Sequence, residues 1–182
     1  MKTPMAPPLT LNKDPAGKLV NITAYRGMID SLMYLKVSRP DIMYSTCLCA
    51  CYQSEPKESH LIAVKRIFRY LKGTPNLGLW YPKYSRFDLT GYSNSDFAGC
   101  KLYIKRNTRG CQLLGGKLVN WTSKKQNSVS TSTTEYVAAG SCCAQVLWMT
   151  NQLLDYVLQL SKIPIYCCST STITIANNPV LH

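Results

Sequence analysis

The sequence lacks the features that would take a chain to or across a membrane. Residues 1–18 contain no apolar core of a secretory signal, and no stretch approaches the roughly 20 apolar residues of a membrane-spanning helix. There are nine cysteines, an odd number, and without a secretory signal we expect them to be reduced. These absences predict an intracellular protein, cytoplasmic or nuclear, that is neither secreted nor held in a bilayer.

Zinc-ligand spacing is also missing. No C-x-x-C pair occurs, and no histidine cluster accompanies the cysteines. A zinc site could be built from the adjacent Cys167 and Cys168 together with a histidine. We do not expect one, because further ligands are missing nearby in the sequence. We therefore expect the cysteines to be small buried apolar residues rather than metal ligands.

Acidic residues are scarce, because nine Asp and Glu stand against 21 Lys and Arg, a formal net charge of +12. Such an excess favours contact with polyanions, and nucleic acid is the obvious partner. The alternative is a basic protein with no specific partner. A hydrophobic content of 46% excludes a chain too polar to fold.

The first half of the chain has apolar residues at helical spacing. The pattern predicts a helix over 22–37, a second helix that begins after Pro40, and a third over 57–72 that ends at Gly73. Residues 1–20 contain four prolines and little periodicity, which indicates an extended leader or linker.

The second half changes period and predicts the order β-β-β-α-β-(α). The extended segments are 77–80, 87–97, a hairpin of 111–114 with 118–121, and a wholly apolar, central strand over 163–167. A long helix is expected over 133–158 and a short one over 172–178. Four aromatic residues fall at apolar positions, and we expect them in the core rather than as base-stacking platforms: Tyr92, Phe97, Trp121 and Trp148.

Several long motifs, in order, resemble one family. The segments YRGMIDSLMYLKVSRPDIMYS, HLIAVKRIFRYLKGTPNLGLWY, GYSNSDFAG, LVNWTSKKQNSVS and IPIYCCSTSTITIANNPVLH are similar to the region of copia-type retrotransposon Pol polyproteins just after the polymerase palm. The resemblance implies the C-terminal part of a reverse transcriptase over 21–84 and a truncated ribonuclease H-like domain over 85–182. The fold class would be α+β, a helical segment followed by a mixed β-sheet with a packed helix.

The resemblance also implies a reaction and a cofactor. Nothing here resembles the aspartate pair of the polymerase palm, so we do not expect polymerisation. Ribonuclease H hydrolyses the RNA strand of an RNA–DNA hybrid with two magnesium ions, which require hard oxygen ligands such as carboxylates.

The expected carboxylate positions are largely replaced. The resemblance implies aspartates where this chain has Asn94 and Cys168, and a glutamate that is retained as Glu135. Asp96 shares a strand face with Asn94 and would be a weak substitute, since it lies about 7 Å further along the strand. A thiol is a soft ligand and a mismatch for magnesium.

These departures predict a truncated, degenerate copy without catalytic activity. We expect no metal or cofactor in this copy, although Mg2+ serves the family. Weak electrostatic binding to an RNA–DNA hybrid or other nucleic acid remains an expectation, since it requires charge and not metal. The alternatives are an active nuclease, a non-enzymatic nucleic-acid-binding module, and an inert relic with a solvated basic surface. The residues expected to contact nucleic acid are Lys65, Arg66, Arg69, Lys72, Lys124 and Lys125.

Overall fold

The computed structural model describes residues 3–5, 11–83, 86–96, 107–126 and 131–178, with the backbone alone at 96, 125 and 131–133. The chain divides into two compact units, one up to Leu79 and one from Trp80 onward. We call them the helical unit and the sheet unit. Together they confirm the predicted α+β class and are consistent with a ribonuclease H-like fold.

The helical unit contains the three predicted helices. They are α1 (Ile22–Leu35), α2 (Met43–Ala50) and α3 (Glu58–Gly73), with a short 3-10 helix at Pro40–Ile42. The proline sits at the first position of that turn, where its missing N–H costs nothing. Apolar side chains from all three helices meet in one core, which includes Tyr25, Ile29, Leu32, Leu48, Val64 and Ile67.

Residues 11–20 contain no helix and lie against the helical unit. Leu11 is buried, and its carbonyl accepts a hydrogen bond of 2.7 Å from the Tyr52 hydroxyl. His60 is fully buried and stacks on Tyr52, with 4.1 Å between ring centroids. Its Nδ1 accepts from the Lys57 N–H at 3.0 Å, so Nε2 carries the proton and donates to the Asn12 carbonyl at 2.7 Å.

The sheet unit contains four described strands and two helices. In chain order they are β1 (Leu89–Asp96), β2 (Asn107–Leu114), β3 (Lys117–Lys125), α4 (Thr131–Leu154), β4 (Ile165–Cys167) and α5 (Thr170–Ala176). The strand order is β3-β2-β1-β4, antiparallel except for the parallel pair of β1 and β4. The predicted hairpin is present, and Gly115 and Gly116 take the positive φ angles that its turn requires.

Helix α4 packs on one face of β1. A Cβ added to Gly91 would lie 3.0 Å from Cys142 Sγ and 3.1 Å from Val146 Cγ2, so this close approach requires glycine. Ser93, two residues along, is buried on the same face. The opposite face carries Tyr92.

Several expectations about the second half of the sequence are wrong. Residues 77–80 form no strand, and β4 lies at the edge of the described sheet with Tyr166 exposed, so it is not a buried central strand. Tyr92 and Trp148 are 41% and 58% exposed, because apolar periodicity shows which face a residue occupies and not whether that face is covered. Trp121 is half-buried, and Phe97 lies outside the described residues.

The cysteines divide between the interior and the surface. Cys49 and Cys142 are buried as expected, and burial raises the pKa of Cys49 to about 12. Cys51, Cys143 and Cys168 are exposed, which contradicts the expectation for those three. No described helix is both long and apolar enough to cross a membrane.

Candidate functional site at the β1 and β4 edge

Parallel pairing of β1 with β4 brings Asn94 and Cys168 together. Ser93 is in register with Cys167, and each of the two site residues follows one of these partners in the chain. The exposed Cys168 thiol donates a hydrogen bond to Asn94 Oδ1 at 3.2 Å. An amide oxygen and a thiol therefore meet at this edge of the sheet.

Glu135 reaches the same edge from the N-terminal part of α4, as its fifth residue. Its Oε2 accepts a hydrogen bond of 2.5 Å from the hydroxyl of Ser169, the residue that follows Cys168. Ser169 is mostly buried and also caps α5, since its Oγ accepts from the Thr172 N–H at 3.2 Å. Ser169 therefore connects the three positions: it is hydrogen-bonded to Glu135 and follows Cys168 in the chain, and Cys168 is hydrogen-bonded to Asn94.

The start of α4 is fixed by Gln126 at the end of β3. Its amide Nε2 donates to the Thr134 carbonyl at 2.8 Å and to the Thr108 hydroxyl of β2. Thr134 is fully buried, and Glu135 follows it directly. These two hydrogen bonds from Gln126 therefore fix the backbone of α4 directly before Glu135 relative to the sheet.

The described side-chain groups at this edge are the Asn94 amide oxygen, the Cys168 thiol and the Glu135 carboxylate, together with the Ser169 hydroxyl that is bonded to Glu135. No group of three or more His, Cys, Asp or Glu side chains suited to a metal ion occurs in the described part of the chain. The backbone of Asp96 pairs with Asn107 at the end of β1, and its side chain lies outside what the structure describes.

The predicted basic residues fall in two places. On α3, Lys65, Arg69 and Lys72 are exposed, and their spacing of four and then three residues puts them on one stripe. Arg66 is half-buried and donates to the Thr3 hydroxyl at 3.2 Å. In the sheet unit Lys124 is exposed, and the Lys125 side chain lies outside the described set.

Sequence reasoning missed four residues near this edge: Ser169, Tyr92, Tyr166 and Arg109. Tyr92 was expected in the core and Tyr166 in a buried strand, whereas Ser169 and Arg109 carried no expectation. A cleft of about 420 Å3 opens beside Asn94 and Cys168 and is lined by the last three of these residues. The alternation of Tyr92 and Asn94 along β1 was the available signal, because side chains two residues apart share a face.

Comparison with known proteins finds relatives among transposon polyproteins. The chain is 37% identical to the retrovirus-related Pol polyprotein from transposon RE1 of Arabidopsis thaliana, over 99% of this chain and 12% of that protein. It is also 37% identical to the corresponding protein from transposon RE2 of the same plant, over 99% and 13%. For the Pol polyprotein from transposon TNT 1-94 of Nicotiana tabacum the identity is 31%, over 100% and 14%.

The chain spans about an eighth of the length of these relatives. No family model matches the chain, and no solved structure matches it.

Proposed function

Because the chain belongs to the family of retrovirus-related Pol polyproteins from copia-type transposons, we propose that it corresponds to the end of the reverse transcriptase and a ribonuclease H-like domain. The ancestral reaction of that domain would be hydrolysis of RNA in RNA–DNA hybrids. In this copy the reaction is lost, and weak electrostatic binding of nucleic acid remains.

The donor set at the β1 and β4 edge carries this proposal. Two magnesium ions bring four positive charges and require hard, anionic oxygen ligands. Asn94 supplies a neutral amide whose oxygen already accepts the Cys168 thiol proton, and a thiol is too soft a ligand for magnesium. Only Glu135 supplies a described carboxylate. These residues do not fit the metal pair, so no catalytic step through it is assigned.

A cleavage assay on a labelled RNA–DNA hybrid tests the loss of activity. We expect no cutting of the RNA strand in Mg2+ above that of a Glu135→Gln control. Robust cleavage that EDTA stops and Glu135→Gln abolishes would overturn the proposal.

The double variant Asn94→Asp/Cys168→Asp tests the position of the site. It would place two further carboxylates beside the edge that Glu135 reaches, and like charges held together favour a divalent cation. We expect Mg2+ to raise the melting temperature of this variant and to leave that of the unaltered chain unchanged. Equal responses would show that these three positions do not form a metal site.

The exposed stripe of Lys65, Arg69 and Lys72 supports the binding part of the proposal. Cations at this spacing can contact successive phosphates and release bound counterions, which makes affinity fall with salt. The remaining members of the proposed contact set are Arg66, Lys124 and Lys125.

Fluorescence anisotropy with a labelled hybrid, titrated over NaCl concentrations, tests that binding. Lys65→Gln should lower the slope of log affinity against log salt by about 1. Lys13→Gln removes the same charge from an exposed residue outside the stripe, and its slope should match that of the unaltered chain. If both variants change the slope equally, the stripe is not the contact surface, and if nothing binds at low salt, the chain is inert.

A further inference from the structure

Two tyrosines form an exposed stacked pair on the face of the sheet opposite α4. Tyr92 and Tyr166 are in register on the parallel strands β1 and β4, with ring centroids 5.1 Å apart and ring planes 22° apart. They are 41% and 56% exposed. Two rings side by side on adjacent strands form a continuous aromatic surface, which a planar partner can cover by stacking.

One cation lines the cleft beside this pair. Among the described residues that line it, Arg109 is the only charged one. Arg109 is directly opposite Asn94 in the pairing of β2 with β1, so both side chains lie on the face of the sheet that carries Tyr92. A guanidinium, an amide and two exposed rings therefore line one cleft of about 420 Å3.

We propose that this surface, the tyrosine platform of Tyr92, Tyr166 and Arg109, binds an unpaired base of single-stranded nucleic acid. The inference rests on the proposed function. It adds the place at which a nucleic-acid strand is bound and the contact that binds it. The base stacks on the tyrosine pair and the neighbouring phosphate lies toward Arg109. Every base has a π-face, so such stacking tolerates any sequence. The overall charge of +12 favours a polyanion over an apolar peptide as the occupant.

Oligonucleotides that differ only in their bases test this contact on the full chain. Anisotropy is measured with a labelled 12-mer of thymidine and with a 12-mer of abasic sites that has the same phosphates. We expect the thymidine strand to bind at least about fivefold more tightly, the lower end of what stacking one base contributes. The abasic strand should bind with the affinity that charge alone gives.

Variants then assign the preference to the platform. Tyr166→Ala should remove the preference for bases, and Tyr166→Phe should keep it, since phenylalanine retains the ring. Tyr92→Ala and Tyr92→Phe form a second pair should one variant fail to fold, which circular dichroism would show. Tyr156→Ala is the matched control, because Tyr156 is 77% exposed in the same unit and outside the platform.

Each contrary outcome has a definite meaning. Equal affinity for both strands, with normal salt dependence, overturns the platform and leaves the proposed electrostatic binding intact. No binding of either strand at low salt overturns both. If the Tyr166→Ala substitution instead abolishes self-association seen by sedimentation, the face contacts protein and the platform is also overturned.

Discussion

The helical unit and the sheet unit differ in what fills their interiors. In the helical unit, Tyr25, Ile29, Leu32 and Ile67 are each at most 1% exposed and belong to one apolar cluster. The apolar cluster described in the sheet unit has only Leu89, Cys142 and Val146 as its buried members. Beside it lies Gln112, a polar residue that is 2% exposed.

Hydrogen bonds hold together part of the described interior of the sheet unit, whereas apolar contacts hold the core of the helical unit. Gln112 accepts from Asn120 at 2.8 Å and donates to the Cys142 sulfur at 3.5 Å, and that thiol donates to the Tyr92 carbonyl at 3.6 Å. Long sulfur contacts are weak, so this interior gains less from them than from packed methylenes. Among the described residues, the unit that carries the candidate chemistry therefore has the smaller and more polar set of fully buried side chains.

The largest effect is expected from a cavity in the helical unit. Ile67 on α3 is fully buried, so Ile67→Ala should lower the free energy of unfolding of that unit by about 2–5 kcal/mol. Ile62 lies on the same helix but is 56% exposed, and Ile62→Ala should change it by less than about 0.5 kcal/mol. Urea denaturation followed by circular dichroism measures both. Similar losses in the two variants would contradict the apolar core described for this unit.

A smaller effect is expected from the polar network around Asp41. Its carboxylate accepts hydrogen bonds from Arg39 at 2.8 and 2.9 Å and from the Tyr70 hydroxyl at 2.8 Å. The hydrogen bond from Arg39 is the main cause that lowers the pKa of Asp41. Asp41→Asn should lower the free energy of unfolding by about 1–2 kcal/mol at pH 7, because charged hydrogen bonds are replaced by neutral ones.

The pH dependence of that stabilisation follows from the direction in which the pKa of Asp41 is shifted. Since the folded pKa is lowered, the stabilisation is full above the ordinary carboxyl pKa of about 4 and is lost as the pH falls through the folded value. The difference between Asp41→Asn and the unaltered chain should therefore shrink below about pH 4. Asp30→Asn is the matched control, because Asp30 is exposed on α1 of the same unit, and this variant should leave the acid part of the curve nearly unchanged. A difference that stays constant down to pH 2 would show that Asp41 does not titrate as described.

The smallest changes in the free energy of unfolding are expected from the removal of one buried hydroxyl in each unit, and the two changes should differ in sign. The buried Tyr25 hydroxyl donates to the Cys49 carbonyl at 2.9 Å, so Tyr25→Phe should lower the free energy of unfolding by about 1 kcal/mol. The Ser93 hydroxyl is buried and has no hydrogen-bond partner among the described residues, so Ser93→Ala should be neutral or slightly stabilising. Thermal unfolding compares the two, and a clear loss from Ser93→Ala would reveal a partner for its hydroxyl.

Local pattern was enough to predict most helices. The predicted 22–37, 57–72 and 133–158 correspond to Ile22–Leu35, Glu58–Gly73 and Thr131–Leu154, because the apolar spacing of a packed helix is visible in the sequence alone. The strand expected at 77–80 failed, since a short apolar run forms a strand only when another strand pairs with it. No such partner is present among the described residues.

The candidate site was predictable only in part. The resemblance named Asn94, Glu135 and Cys168, and the register of β1 with β4 brings two of them into direct contact. Ser169 could not be found this way, because its link to Glu135 depends on a residue separation of 34 that no local pattern encodes. The open face that carries Tyr166 was missed for a similar reason, since exposure is a property of the assembled sheet.

The hydrogen bond between His60 and the Asn12 carbonyl matters for the design of shorter fragments, because it makes residues before α1 part of the helical unit. A fragment that begins at residue 20 would remove the Asn12 carbonyl from the imidazole and the Leu11 carbonyl from the Tyr52 hydroxyl. Two donors would then lose their protein acceptors, and a typical hydrogen bond contributes about 0.5–1.5 kcal/mol net. A fragment of the helical unit that keeps both hydrogen bonds has to begin at or before Leu11, inside a stretch whose prolines suggest a dispensable tail.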